Sequence, residues 1–139
     1  MNAYASLTLT RPTEAPRRQR AIVEFLRAMV LARPAHIERF HAIFLDEHRS
    51  ILGDAPLGQG GSGSLTVRMR EIFGRALALH ASAIIIAHNH PSGSCQPSDY
   101  DRVSTRRLRD IAEALDIELL DHLIFTCDAV YSMRAGGNL

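Results

Sequence analysis

Ala83-Ile84-Ile85-Ile86-Ala87-His88-Asn89-His90 runs directly into Pro91-Ser92-Gly93-Ser94-Cys95-Gln96-Pro97-Ser98-Asp99-Tyr100-Asp101. The first half is unbroken, apolar and rich in β-branched residues. Bounded by a loop rich in turn residues, it predicts a strand buried on both faces. Side chains alternate along a strand, so His88 and His90 should point the same way at its end. Ser98 and Asp101 then open the next segment. The pattern is H-x-H, seven residues, S-x-x-D.

Two imidazoles and one carboxylate are a three-ligand set that leaves a fourth position on zinc open for water. A zinc ion there would acidify water and polarise a carbonyl, and Ser98 would donate a hydrogen bond to the oxyanion that forms. Each half also has a plainer reading. An isolated His-x-His is commonly a surface pair or a satisfied strand pair. Ser98 and Asp101 alone make a capping box, with Ser at the N-cap and an acid at N3. A helix that starts at Ser98 would hold Asp101 in its first turn, so the capping and ligand roles are compatible.

The segments H88-N-H90-P-S-G and P97-S98-x-x-D101 resemble the JAMM motif of the JAB/MPN metalloprotease fold. Arg70-Glu71-Ile72-Phe73 with Arg75-Ala76-Leu77, the phrase AHNHPSG, and Leu120-Asp121-His122-Leu123-Ile124 resemble its RadC-like branch, from about Phe40 to the C-terminus. The resemblance implies an α/β fold: a single MPN-like domain with a mixed, curved sheet flanked by helices. It implies His88, His90 and Asp101 as zinc ligands and Ser98 as the oxyanion helper. It also implies a glutamate from an earlier strand as proton acceptor. RadC-like sequences typically carry a Glu-Glu pair in the second strand of the hairpin. Ungapped counting from Arg70-Glu71 puts that pair on Ala55-Pro56, neither of which takes a proton. Asp54 is the adjacent carboxylate and the expected residual base, although a shift of one residue normally turns a side chain to the other face. Glu47, in the hairpin turn, is the other candidate. Full-length members usually carry an N-terminal helix-hairpin-helix segment. The expectation here is the metal domain with a short N-terminal helix.

At 139 residues, 46% hydrophobic, the chain is long enough for one domain with a real core. The domain reading is a flexible tail over residues 1–16 and a RadC-like JAB/MPN domain over 17–139. No apolar run approaches the ~20 residues of a membrane span. No signal peptide is visible, and Cys95 and Cys127 make no disulfide framework, so a cytoplasmic location is expected. Cys95, inside the loop, reads as an incidental thiol beside an already complete ligand set. The net charge of +1 gives no strong claim on nucleic acid. The local exception is Arg102, Arg106 and Arg109, expected on one helical face as a weak phosphate or partner surface, or simply as a solvated face.

Periodicity predicts a helix over 17–32, closed by Pro34, then strands at 40–46 and 50–57. Gly58 to Ser64 reads as a mobile flap. It lacks the Lys-Ser/Thr of a P-loop. A helix over 65–80, the strand over 82–88, a helix from Ser98 to Leu115, and strands at 117–126 and 130–133 complete the chain. Asp121 and His122 are a polar pair in an apolar strand. One of them is expected either to orient a ligand imidazole or to make a structural bond in the core.

Two functions follow. The first is a zinc-dependent peptidase or isopeptidase-like hydrolase acting on a polypeptide or isopeptide, weak or inactive if the base is missing. The second is a non-catalytic, metal-stabilised module that binds protein or DNA, associated with repair or mobile elements. A zinc deaminase is excluded, because the chain has no P-C-x-x-C to complete such a site.

Overall fold

The computed structural model describes residues 15–59 and 65–139. Among them the order is α1 (Ala15–Val30), β1 (Arg39–Leu45), β2 (Ile51–Gln59), α2 (Leu65–Ala78), β3 (Ala83–Asn89), α3 (Asp99–Ala114), β4 (Glu118–Phe125) and β5 (Val130–Ser132). The strands form one sheet in the order β2-β1-β3-β4-β5. β1 runs antiparallel to both β2 and β3, β3 and β4 are parallel, and β5 returns antiparallel to β4. The fold is α/β with a mixed sheet between helices, as the chemistry of the sequence predicts.

β3 is the centre, and all seven of its residues are buried. Its alternation divides the core. Ile84 and Ile86 join Phe40, Ala42 and Phe44 of β1, and Ala55 and Leu57 of β2, beneath Ile72, Phe73 and Ala76 of α2 and Leu108 and Ala112 of α3. Ala83, Ile85 and Ala87 face the other way with Ile43 and Leu45, beneath Ile22, Val23, Leu26 and Val30 of α1. Each fully buried Leu, Ile or Phe in these layers contributes about 1.5–3 kcal/mol. The two layers therefore hold β3, and the histidines at its end, in one position.

Most boundaries shift by one or two residues from the sequence expectations. α1 starts at Ala15, two residues inside the expected tail. Residues 1–14 lie outside the described residues. β2 continues through Gly58 and Gln59, with Gln59 opposite Arg39, so these two residues of the expected flap belong to a strand, and the others, 60–64, lie outside the described residues. In the β1–β2 turn, the Asp46 carboxylate accepts the backbone N–H groups of His48 and Ser50, while Arg49 takes a left-handed conformation (φ 64°). α3 buries Leu108 and Ala112, whereas Leu115 just past its end is 39% exposed.

Candidate metal centre

β3 delivers His88 and His90 to the end of the sheet beneath α3. The loop that follows folds back on itself at Gly93, whose φ of +92° is open to glycine at no cost. That turn brings the Ser94 carbonyl within 2.8 Å of His90 Nδ1, which donates to it. α3 then begins at Ser98. Ser98 Oγ accepts the Asp101 N–H at 3.0 Å, and Asp101 Oδ2 accepts the Ser98 N–H at 3.0 Å, a complete capping box. The box removes two orphan amide donors of the helix and fixes the Asp101 rotamer. The remaining carboxylate surface faces the histidines.

His88 Nε2 and His90 Nε2 are 2.9 Å apart. Asp101 Oδ2 is 3.1 Å from His90 Nε2, and Oδ1 is 3.6 Å from His88 Nε2. Ligands around tetrahedral zinc at 2.0–2.1 Å stand roughly 3.3 Å from one another, and these separations scatter about that value. The donor set also fits a cation in its directions. His90 Nδ1 is committed to Ser94, and His88 Nδ1 lies 2.6 Å from His122 Nε2, so both Nε2 atoms are the ones turned inward. His88, His90 and Asp101 are the metal-competent cluster among the described residues.

The electrostatics are those of a tight cluster. Hydrogen bonding to Asp101 raises the His90 pKa. Burial opposes this, and the charges of Asp101 and Glu38 add to the rise. Burial alone would raise the Asp101 pKa, but the His88 and His90 imidazoles more than offset it and hold the carboxyl far below its usual range. Complete burial, reinforced by His88, pushes His122 well below the usual imidazole range, so it is neutral.

The polar pair in β4 separates into two roles. His122 stands behind His88 and touches it. Asp121 ties the C-terminal segment together, accepting from Ser132 Oγ at 2.5 Å, the His122 N–H at 2.8 Å and the Arg134 N–H at 3.1 Å. Cys95 packs against Ile124, Tyr131 and Met133, away from the three ligand atoms.

Asp54 does not join the cluster. It pairs with Ile43 across β1–β2, and Ile43 faces α1, so Asp54 lies on the opposite face of the sheet from His88. There its Oδ2 is 2.6 Å from His41 Nε2. Pro56 lies in β2, an edge strand of the described sheet, and the nearby register irregularity falls between Arg39 and His41 and leaves Asp54 opposite Ile43. Glu47 is also remote. It sits beyond the far end of β1, whereas His88 pairs with Phe40 near the start.

A carboxylate that the sequence expectations do not name, Glu38, stands immediately before β1. β1 and β3 pair with Phe40 opposite His88, and Phe40 stacks on that imidazole with ring centroids 4.7 Å apart. The ladder ends at that pair, and extending its antiparallel register one step on the same face would set Glu38 opposite His90. The charge of Glu38 is felt at His90. Asn89 fixes this approach: its Oδ1 accepts the Arg39 N–H at 2.6 Å and its Nδ2 donates to the Ile37 carbonyl at 3.0 Å, bracketing Glu38 on both sides. The available sequence signal was parity, because Glu38 stands two residues before Phe40 in a predicted strand.

On the helix surface, Arg102 binds Asp99 at 2.8 Å, and Arg109 lies 3.5 Å from Asp110 and 3.9 Å from Glu113. Two of the three arginines expected as a phosphate surface therefore have acidic neighbours. No described helix is long and apolar enough to cross a membrane.

Comparison with known proteins agrees with this architecture. The profile of the RadC-like JAB domain matches residues 17–138. A UPF0758 protein of Pseudomonas fluorescens is 44% identical over 101 residues, covering 73% of this chain and 44% of that protein. UPF0758 proteins of Paraburkholderia xenovorans and Burkholderia thailandensis are 40% and 38% identical over 117 residues, covering 84% of this chain and 46% and 44% of theirs. The chain thus spans less than half the length of these relatives. A match over nearly the whole chain, together with this sheet and this His-His-Asp cluster, means that the chain belongs to the RadC-like JAB domain family.

Proposed function

We propose that the domain is a zinc-dependent hydrolase of peptide or isopeptide bonds, with Glu38 rather than Asp54 as its proton acceptor. The observation that carries this reading is the convergence of His88 Nε2, His90 Nε2 and the Asp101 carboxylate, with the charge of Glu38 acting on His90. Two nitrogens and one carboxylate suit zinc better than magnesium or calcium, which prefer all-oxygen sites. When bound, the ion supplies Lewis acidity that polarises a carbonyl and acidifies water.

The chain's own residues supply the rest. His88, His90 and Asp101 hold the ion, each already oriented by a neighbour. The Glu38 carboxylate accepts the proton of the attacking water and returns it to the leaving amine. Ser98 Oγ uses one lone pair on the Asp101 N–H and keeps its own O–H free to donate to the oxyanion. Ser98 is exposed while Asp101, which it caps, is buried. Phe40 closes one wall over His88.

The test is hydrolysis of quenched-fluorescent libraries of linear peptides and of lysine ε-linked isopeptides by zinc-loaded protein. Cleavage that is lost with chelator and lost in Glu38→Gln, while that variant still binds zinc, is the expected result. An inert zinc-loaded wild type, or cleavage unaffected by Glu38→Gln, overturns the proposal.

A further inference from the structure

Behind His88, on the side away from Asp101, two further polar side chains are enclosed: His122 of β4 and Thr105 of α3, each 0% exposed. They form a row. His88 Nδ1 is 2.6 Å from His122 Nε2, His122 Nδ1 is 2.7 Å from Thr105 Oγ1, and the Thr105 hydroxyl has Met133 Sδ as an acceptor at 3.6 Å. A neutral imidazole carries one ring proton, so the row has a direction. In one direction His88 Nδ1–H donates to His122 Nε2, His122 Nδ1–H donates to Thr105 Oγ1, and the hydroxyl gives its proton to Met133. His88 Nε2 then presents a lone pair to His90 and Asp101. In the other direction the Thr105 hydroxyl donates to His122 Nδ1, His122 Nε2–H donates to His88 Nδ1, and the last proton sits on His88 Nε2, where a cation would have to bind.

We propose that His122 and Thr105 are positioning residues that set the first direction, holding His88 as its Nδ1–H tautomer with Nε2 open to the metal. This rests on reading the cluster as a cation site. Met133 accepts the Thr105 proton in the first direction, so no donor in the row is left unpaired. The second direction aims His88 Nε2–H at His90 Nε2, 2.9 Å away, and closes the cluster to a cation. A cation site therefore selects the first. The place behind a metal-bound histidine is commonly filled by a carboxylate, a backbone carbonyl or water. Here an uncharged imidazole fills it, and Thr105 turns that imidazole into an acceptor. The row also joins three elements, β3, β4 and α3, and α3 carries Asp101 on its first turn. Zinc binding should therefore be sensitive to substitutions more than one residue removed from any ligand.

The experiment measures zinc affinity by competition with a chromophoric chelator, with circular dichroism as the check on folding. His122→Leu and Thr105→Val should bind zinc about 10- to 100-fold more weakly, the usual effect of removing an orienting partner. His122→Gln offers an amide oxygen to His88 and an amide N–H to Thr105, so it should recover most of the affinity, and Thr105→Ser should match wild type. A second readout needs no substitution: ring-nitrogen NMR of the zinc-loaded wild type should show His122 neutral and protonated at Nδ1. Wild-type affinity in a folded His122→Leu variant, or a proton on His122 Nε2 in the loaded protein, overturns the relay alone. A wild type that binds no zinc overturns the metal-site reading and the relay with it.

Discussion

The sheet carries a histidine beside an aspartate on each of its faces, and only one of the two is built to hold a cation. On the α3 face, His88 and His90 meet Asp101. On the α1 face, His41 meets Asp54 at 2.6 Å, closer than either of the other contacts. Distance is therefore not what separates them. At the first, three donors converge, and both imidazoles have their second nitrogen occupied by Ser94 or His122. At the second, one imidazole meets one carboxylate, Phe25 packs edge-on against the ring at 5.7 Å, and the Asp54 side chain is 42% exposed. Metal competence comes from the number of converging donors and from the partners that aim them. A short histidine–carboxylate contact by itself is a hydrogen bond.

The largest effect expected from this contrast is at Asp101. Asp101→Asn keeps an oxygen for the Ser98 N–H, so α3 stays capped, but it removes the anionic ligand. Zinc affinity should fall by more than about 100-fold, beyond what loss of an orienting neighbour costs. At zinc a hundredfold above the dissociation constant, the wild type gains about 2.7 kcal/mol of stability. Calorimetric melts with and without zinc should show this gain in wild type and lose it in Asp101→Asn. An undiminished gain would remove Asp101 from the site.

Next comes Glu38. Glu38→Gln should leave zinc affinity near wild type and slow hydrolysis by about 100- to 10,000-fold, the usual worth of general-base assistance. Equal losses of affinity and rate would make Glu38 a structural residue instead. A smaller effect belongs to the position where ungapped counting put the family's glutamate. Ala55 is 1% exposed and lies in the core beneath α2. Ala55→Glu would bury an unpaired carboxylate there and should destabilise the domain by at least about 3 kcal/mol without restoring any chemistry. Denaturant titration measures it. A stable and more active Ala55→Glu variant would reinstate β2 as the source of the base.

How much of this was legible depends on sequence distance. β3, the inward pair of histidines and the Ser98–Asp101 capping box are local, and spacing alone predicted them. Asp54 was the expected residual base, and the structure turns it to the α1 face, as the one-residue offset normally does. Glu38 shares the parity of Phe40, but relating it to His90 required the register between β1 and β3, which joins residues far apart in the sequence. His122 was harder still. Strict alternation from Leu119, which faces α2 and α3, would turn residue 122 toward α1. A register shift between Ile84 and Ile85 against β4 interrupts the alternation, so Leu119 and His122 share a face while Leu120 and Leu123 face α1. A bulge of this kind re-aims a side chain next to a site, and composition cannot announce it. Thr105 follows from His122, so it too could be read only with the fold in hand.

The smallest effect expected is at Asp54, and it tests the comparison from its other side. Asp54→Asn keeps an amide that can still hydrogen-bond His41 Nε2, because an amide offers both a donor and an acceptor. The loss is the charge of a group already largely in water, worth at most about 1 kcal/mol. Zinc affinity and hydrolysis should both be unchanged, because the carboxylate points to the α1 side and no described contact links it to His88, His90 or Asp101. The informative control is Asp54→Ala, which leaves the 6%-exposed His41 without that partner and should cost more, about 1–3 kcal/mol, again with no change in zinc affinity. If Asp54→Asn instead abolished hydrolysis while melting like wild type, the two faces would be chemically coupled. Asp54 would then regain the role its position in the strand denies it.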